Sequence, residues 1–184
     1  MKKTAIIDID NTLWPFCDAF YLELKKFNAI FPEPRRWTLF NFYESYCSTE
    51  EFFAAITSVH LKQDCDHYQP YPEAKPFLSA LREQGFTIII ASHRMESTRP
   101  QTERWLARHN LLYDELHLSF DKTALFGRAD VIVDDAPSTL EKAVQSGILA
   151  AGLLFPWNKI CAGNGIGLFQ DLNGVLGYIL KRVG

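Results

Sequence analysis

The sequence predicts an α/β fold, a Rossmann-like parallel sheet with a small helical cap inserted after the first strand. Three observations carry that expectation. Short β-rich apolar runs recur along the 184 residues with helical patterns between them, as in a parallel sheet with covering helices. The interval from residue 11 to 85 far exceeds the dozen or so residues of a simple crossover, so it holds additional structure. Two of the apolar runs also end in paired carboxylates, Asp8 with Asp10 and Asp134 with Asp135, at the end of a strand where parallel sheets bind ligands.

The elements follow in order. Residues 4–10 form the first strand. Phe16, Phe20, Leu24, Phe27 and Phe31, spaced four, four, three and four apart, make one helical face that Pro32 and Pro34 end. Ser48 with Glu51 is a capping box opening a second helix, with Phe52, Phe53, Ile56 and Val59 on its apolar side. The insert is rich in aromatic residues, including Trp37, Phe40, Phe42, Tyr43, Tyr46, Tyr68 and Tyr71. A small helical subdomain needs such side chains for its own core, and a minority can line a pocket for a flat ligand. The expected division is a core of residues 1–15 and 73–184 with a cap of residues 16–72. Beyond the cap, a helix from Pro76 stops at Gly85, and strands follow at 86–92, 115–119, 130–134 and 148–155. Ser138 to Glu141 reads as a capping box after Pro137, and Leu172, Val175, Leu176 and Ile179 mark a last amphipathic helix.

Composition narrows the possible functions. With 47% hydrophobic and 22% charged residues the chain is expected to bury a sizeable core. Its net charge of -3 offers no basic field for duplex nucleic acid. The longest apolar run, residues 148–155, is far short of the roughly 20 residues of a membrane span, and Met1-Lys2-Lys3 leads directly into a strand. A cytoplasmic monomer or homodimer is expected. Cys17, Cys47, Cys65 and Cys161 form no C-x-x-C pair, so neither a zinc knuckle nor a disulfide framework is indicated.

The chemistry concentrates at strand ends. Asp8 and Asp10 project to one side of a regular strand, roughly 6.6 Å apart. Two carboxylates brought near 4 Å repel by about 4 kcal/mol at an effective dielectric of 20, which a cation or shared proton must offset. Asp134 and Asp135 are adjacent, so at most one points into the site unless the strand has already turned; Asp134 is the favoured ligand and Asp135 the alternative. This hard oxygen set suits Mg²⁺, which usually meets a substrate phosphate. Ser92 can offer a hydroxyl with backbone N–H groups, and Lys122 a point positive charge, for an anion. The five histidines show no paired ligand spacing and read as surface or satisfied core residues. Ser92 has no G-x-S-x-G context, so a serine hydrolase is excluded.

Asp8-Ile9-Asp10-Asn11-Thr12-Leu13, then Ser92, Lys122 and Asp134-Asp135, in that order, resemble the four motifs of the haloacid dehalogenase (HAD) superfamily. The segment Asp121-Lys122-Thr123, the insert directly after the first motif, and Phe155-Pro156-Trp157-Asn158 are most similar to its 5'(3')-deoxyribonucleotidase branch. Asn11-Thr12 and His93-Arg94 replace the Gly-Val and Ser-Pro common in that branch. The stretch Asp8 to Phe16 also resembles magnesium-dependent phosphatases of protein or sugar phosphates, though those lack a long cap. The resemblance implies a Mg²⁺-dependent phosphomonoesterase acting on a small phosphorylated metabolite, a nucleotide in the nearest branch. It assigns Asp8 as nucleophile and Asp10 as acid and then base, with Mg²⁺ at Asp8, Asp10, Asp134 and Asp135. Thr12, Ser92 and Lys122 would hold phosphoryl oxygens, with His93 and Arg94 in reach of the phosphate or the cap. A receiver-like signalling domain shares strand-end carboxylates, Ser/Thr and Lys, but has no insert after its first strand. A catalytically silent phosphate-binding module is the remaining alternative.

Overall fold

The computed structural model describes residues 3–39, 42–65 and 67–183, so Phe40 lies outside the described residues. Six parallel strands form one sheet in the order β3-β2-β1-β4-β5-β6. They are β1 (Lys3–Ile7), β2 (Phe86–Ser92), β3 (Glu115–Leu118), β4 (Val131–Val133), β5 (Leu149–Leu153) and β6 (Ile166–Phe169). Ala5, Ile6 and Ile7 of β1 are fully buried on both faces, as a central parallel strand covered by helices requires. Ile7 pairs with Ile90 on one side and Val133 on the other. The chain emerging at Asp8 therefore stands beside the ends of both β2 and β4.

β6 is an addition to the sequence reading. Gly163 and Gly165 precede it with φ of +89° and +81°, and Gly167 sits within it, so its four residues read as loop. Among the described residues six α-helices complete the architecture: α1 (Phe16–Phe27), α2 (Thr49–Leu61), α3 (Ala74–Glu83), α4 (Arg99–Arg108), α5 (Pro137–Gln145) and α6 (Leu172–Val183). The interval between β1 and β2 contains α1, α2 and α3, and α1 packs on α2. α4 escaped the pattern analysis because only Thr102, Trp105 and Leu106 of its otherwise charged sequence are buried.

Local signals fared unevenly. Ser48 caps α2 as expected, accepting from the Glu51 N–H at 3.2 Å while the Glu51 carboxylate accepts from the Ser48 N–H at 2.9 Å. The capping box at Ser138 is absent: Pro137 opens α5, its N-cap is Ala136, and no side chain caps it there. α1 stops at Phe27, which is half exposed, and Phe31 is buried by the chain turning back rather than by a helical face. In α2 the buried residues are Ala55, Val59 and His60, while Phe53 is 47% exposed.

Candidate active site

β1 ends at Ile7, and the next residue's N–H donates to the Val133 carbonyl at 2.9 Å, tying Asp8 to the end of β4. Because β4 ends at Val133, strand alternation no longer separates Asp134 from Asp135. Carboxylate oxygens of Asp8, Asp134 and Asp135, all buried, lie within 4.8 Å of one another. Gly152 on the neighbouring strand makes this packing possible: a Cβ there would sit 2.1 Å from the Asp134 carbonyl oxygen.

One buried cation bridges the cluster. Lys122 donates to Asp8 Oδ1 at 2.5 Å and Asp134 Oδ2 at 2.6 Å. Asp134 also accepts from the Ala136 N–H at 2.8 Å, so it braces the turn into α5. Asp135 accepts from the Asn11 side-chain amide at 3.0 Å, and the Asn11 carbonyl oxygen accepts from the Cys17 N–H at 2.9 Å. Asn11 holds φ at +57°, a conformation Asn tolerates better than most residues. Asn158 donates to the Asp135 carbonyl oxygen at 3.1 Å, which gives the Phe155–Asn158 segment its place in the site.

Electrostatics show what this cluster lacks. Burial raises Asp8 to about 7 even with Lys122 beside it, because Asp134 and Asp10 add negative charge. Burial, with Asp134 and Asp8 nearby, likewise pushes Asp135 well above the usual carboxylate range. Burial opposes the charge on Lys122, yet Asp134 and Asp8 together hold it above its ordinary value. Each pair of ionised oxygens near the 4.8 Å limit would repel by about 3 kcal/mol at an effective dielectric of 20. Three buried carboxylates thus share one ammonium, and these hard, closely set oxygens fit a divalent cation such as Mg²⁺.

Asp10 occupies a different environment. Its carboxylate accepts from Trp14 Nε1 at 2.9 Å, Arg94 Nη2 at 2.5 Å, Arg94 Nε at 3.1 Å and Ser92 Oγ at 3.3 Å. His60 Nε2 lies 3.0 Å from Asp10 Oδ2. Burial works against its charge, but Arg94 and His60 hold Asp10 well below the usual carboxylate range. It is a carboxylate here.

A cavity of about 510 Å³ opens above these groups. Asp8, Asp10, Ser92, His93, Lys122, Asp134 and Asp135 line it, with Asp121, Thr123, Ser138 and Lys142. Phe16, Phe20, Trp37, Phe42, Phe52 and Trp157 line it too. Trp37 stacks on Phe42 with centroids 4.2 Å apart, and Trp157 is backed by Phe155 at 4.5 Å. A match of the haloacid dehalogenase-like hydrolase family model to residues 2–146 decides the affiliation.

The chain belongs to the haloacid dehalogenase-like hydrolases. Among curated proteins it is similar to the "Putative 5'(3')-deoxyribonucleotidase" of Chlorobaculum tepidum, 28% identical over 99 residues. That match spans 50% of this chain and 44% of the other, less than half that relative's length. Its fold is shared with a predicted phosphoglycolate phosphatase from Haemophilus somnus 129PT, at TM-score 0.68 and 16% identity over 96% of this chain and 97% of that one. A D,D-heptose 1,7-bisphosphate phosphatase from B. bronchiseptica, complexed with magnesium and phosphate, shares it at TM-score 0.55 and 15% identity, over 98% and 99%.

Not every residue that the HAD hydrolase motifs suggest reaches the cavity. Thr12 is fully buried, its hydroxyl has no partner among the described residues, and it does not line the cavity. Arg94 is also withdrawn, spent on Asp10. His93 does line the cavity, and burial, helped by the charge on Lys122, lowers it to about 4. Sequence reading missed Asn11, Trp14, His60 and Gln63 as parts of the site. Only Asn11 carried a signal, as the residue that ends the acidic strand and can take a left-handed turn. His60 is a satisfied buried histidine, as its isolated position implied, but its partner, Asp10, lies 50 residues away.

Proposed function

We propose that this hydrolase is a Mg²⁺-dependent phosphomonoesterase acting on nucleoside monophosphates, with residues 16–72 as a cap over the cavity. One observation carries the reading: the acidic cluster and Lys122 line the same cavity as a set of aromatic rings. Flat rings suit the face of a nucleobase, and polar side chains that also line the cavity, among them Asp121, Thr123, Ser138 and Lys142, can meet the hydroxyls of its sugar.

Asp8, Asp134, Asp135 and the Asp10 backbone carbonyl would hold the ion. Bound there, it offsets charge on the nucleophile and the transferring group. An Asp8 carboxylate oxygen attacks phosphorus, and the bond from phosphorus to the leaving oxygen breaks. That oxygen takes a proton from Asp10 and departs as the alcohol. Water then attacks the aspartyl-phosphate, gives its proton to Asp10, and releases phosphate with the Asp8 carboxylate restored. The ionised Asp10 seen here is the form the second step uses; the proton it takes from water there is the one it gives to the leaving oxygen of the next substrate. Lys122 would meet the phosphoryl oxygens, Ser92 could join it only by turning its hydroxyl from Asp10, and His93 is a neutral partner beside them.

A screen of phosphorylated metabolites with Mg²⁺ and with EDTA tests this reading. Hydrolysis of dUMP, dTMP or other nucleoside monophosphates, lost with EDTA, is the expected result. Sugar phosphates or phosphotyrosine exceeding every nucleotide by a wide margin would refute the substrate class. EDTA-resistant turnover would refute the metal.

A further inference from the structure

Arg94 is one of the largest fully buried side chains of the protein, 1% exposed, although its position beside the Ser92 strand end suggests a phosphate ligand. All three of its guanidinium nitrogens have protein partners, and the residue itself does not line the cavity. Nε and Nη2 donate to the two oxygens of Asp10 at 3.1 and 2.5 Å. Nη1 donates to Thr102 Oγ1 on α4 at 2.9 Å and to Gln63 Oε1 just past α2. Thr102 in turn donates to the Thr98 carbonyl at 3.0 Å, so the far side of the fork is anchored to a helix.

We infer that Arg94 is a positioning residue for Asp10 and not a phosphate ligand: its fork fixes the plane of the carboxylate that exchanges protons with the leaving oxygen and water. The inference rests on the phosphatase reading above. A carboxylate's last torsion is broad, so a carboxyl group at a strand end does not by itself hold one orientation. Two parallel donors on two oxygens remove that freedom, which a point charge cannot do. Trp14 Nε1 and Ser92 Oγ approach the same carboxylate from other directions and complete the clamp.

A double-mutant cycle with p-nitrophenyl phosphate in Mg²⁺ tests this, using wild type, Arg94→Met, Asp10→Asn and the double variant, with inorganic phosphate as competitive inhibitor. Arg94→Met is expected to lower kcat by about a hundredfold or more, the range of acid–base assistance. KM and the phosphate inhibition constant should stay within about threefold, because no ground-state contact is lost. In the Asp10→Asn background, Arg94→Met should then change kcat by less than about threefold, because the residue acts only through Asp10. That comparison also serves if Arg94→Met alone does not fold, since the double variant leaves neither charge unpaired. Arg94→Lys should not restore wild-type kcat. A phosphate inhibition constant weakened more than about tenfold with kcat retained would make Arg94 a phosphate ligand and overturn the inference. Losses that multiply in the double variant would overturn it too. Wild-type protein that releases no phosphate would overturn both the inference and the reading beneath it, whereas failure confined to the variants overturns the inference alone.

Discussion

Replacing Lys122 with Met removes the ammonium that bridges Asp8 and Asp134, at 2.5 and 2.6 Å, and leaves three buried carboxylates within 4.8 Å of one another. Each contact is a gross attraction of about 6 kcal/mol at an effective dielectric of 20, much of it offset by the desolvation of the charges. Breaking a buried pair from one side costs about 3–5 kcal/mol, because the remaining charge is uncompensated. That is a large share of a total stability of about 5–15 kcal/mol. For a chain of 184 residues it corresponds to a fall in Tm of about 6–20 °C. The assay is thermal unfolding at pH 8 in EDTA, followed by circular dichroism. Adding Asp8→Asn to Lys122→Met removes one of the stranded charges and should recover part of the loss. A Tm within about 2 °C of wild type in the single variant would mean the lysine does not hold the cluster together, and the electrostatic account would fail.

Other perturbations test separate parts of the site. Asp8→Asn should abolish phosphate release while leaving Tm near or above that of wild type, and substantial remaining turnover would refute the nucleophile assignment. Burial lowers His93 from its ordinary 6.5 to about 4, so within that window the folded protein binds fewer protons than the unfolded chain. Its contribution is therefore full above the unfolded value and lost as pH falls through the folded one, about 3 kcal/mol by linkage. His93→Gln should flatten the decline of stability between pH 6.5 and 4, and an unchanged slope would contradict the burial argument. Gly152→Ala drives a methyl into the Asp134 carbonyl, with 2.1 Å between them before relaxation. It should cost about 1–3 kcal/mol and weaken Mg²⁺ binding, measured by denaturant unfolding and titration calorimetry.

The sheet was legible because each core strand is a short apolar run ended by polar residues, Gly or Pro, and because β1 is buried on both faces. β6 escaped because three glycines in and just before a four-residue strand carry no β signal, and its pairing with β5 is purely tertiary. α4 escaped because its charged residues dilute the apolar stripe. The acidic cluster could be anticipated from strand ends alone: a parallel sheet delivers them to one edge, and the order β2-β1-β4 puts Asp8 between the other two. What surrounds Asp10 could not. Its partners Trp14, His60 and Arg94 come from three separate stretches, and which of several polar residues reaches it is decided by packing. Arg94 shows the limit clearly, since a cation beside Ser92 suggests a phosphate ligand until its burial and its fork on Asp10 are seen.

Anomalous diffraction from crystals soaked in Mn²⁺, as a stand-in for Mg²⁺, would locate the ion at the acidic cluster. One strong peak is expected within coordination distance of carboxylate oxygens of Asp8 and Asp134, and it should disappear in Asp134→Asn. A peak elsewhere in the cavity, or an empty cluster in protein that still hydrolyses phosphate monoesters, would contradict that placement of the ion.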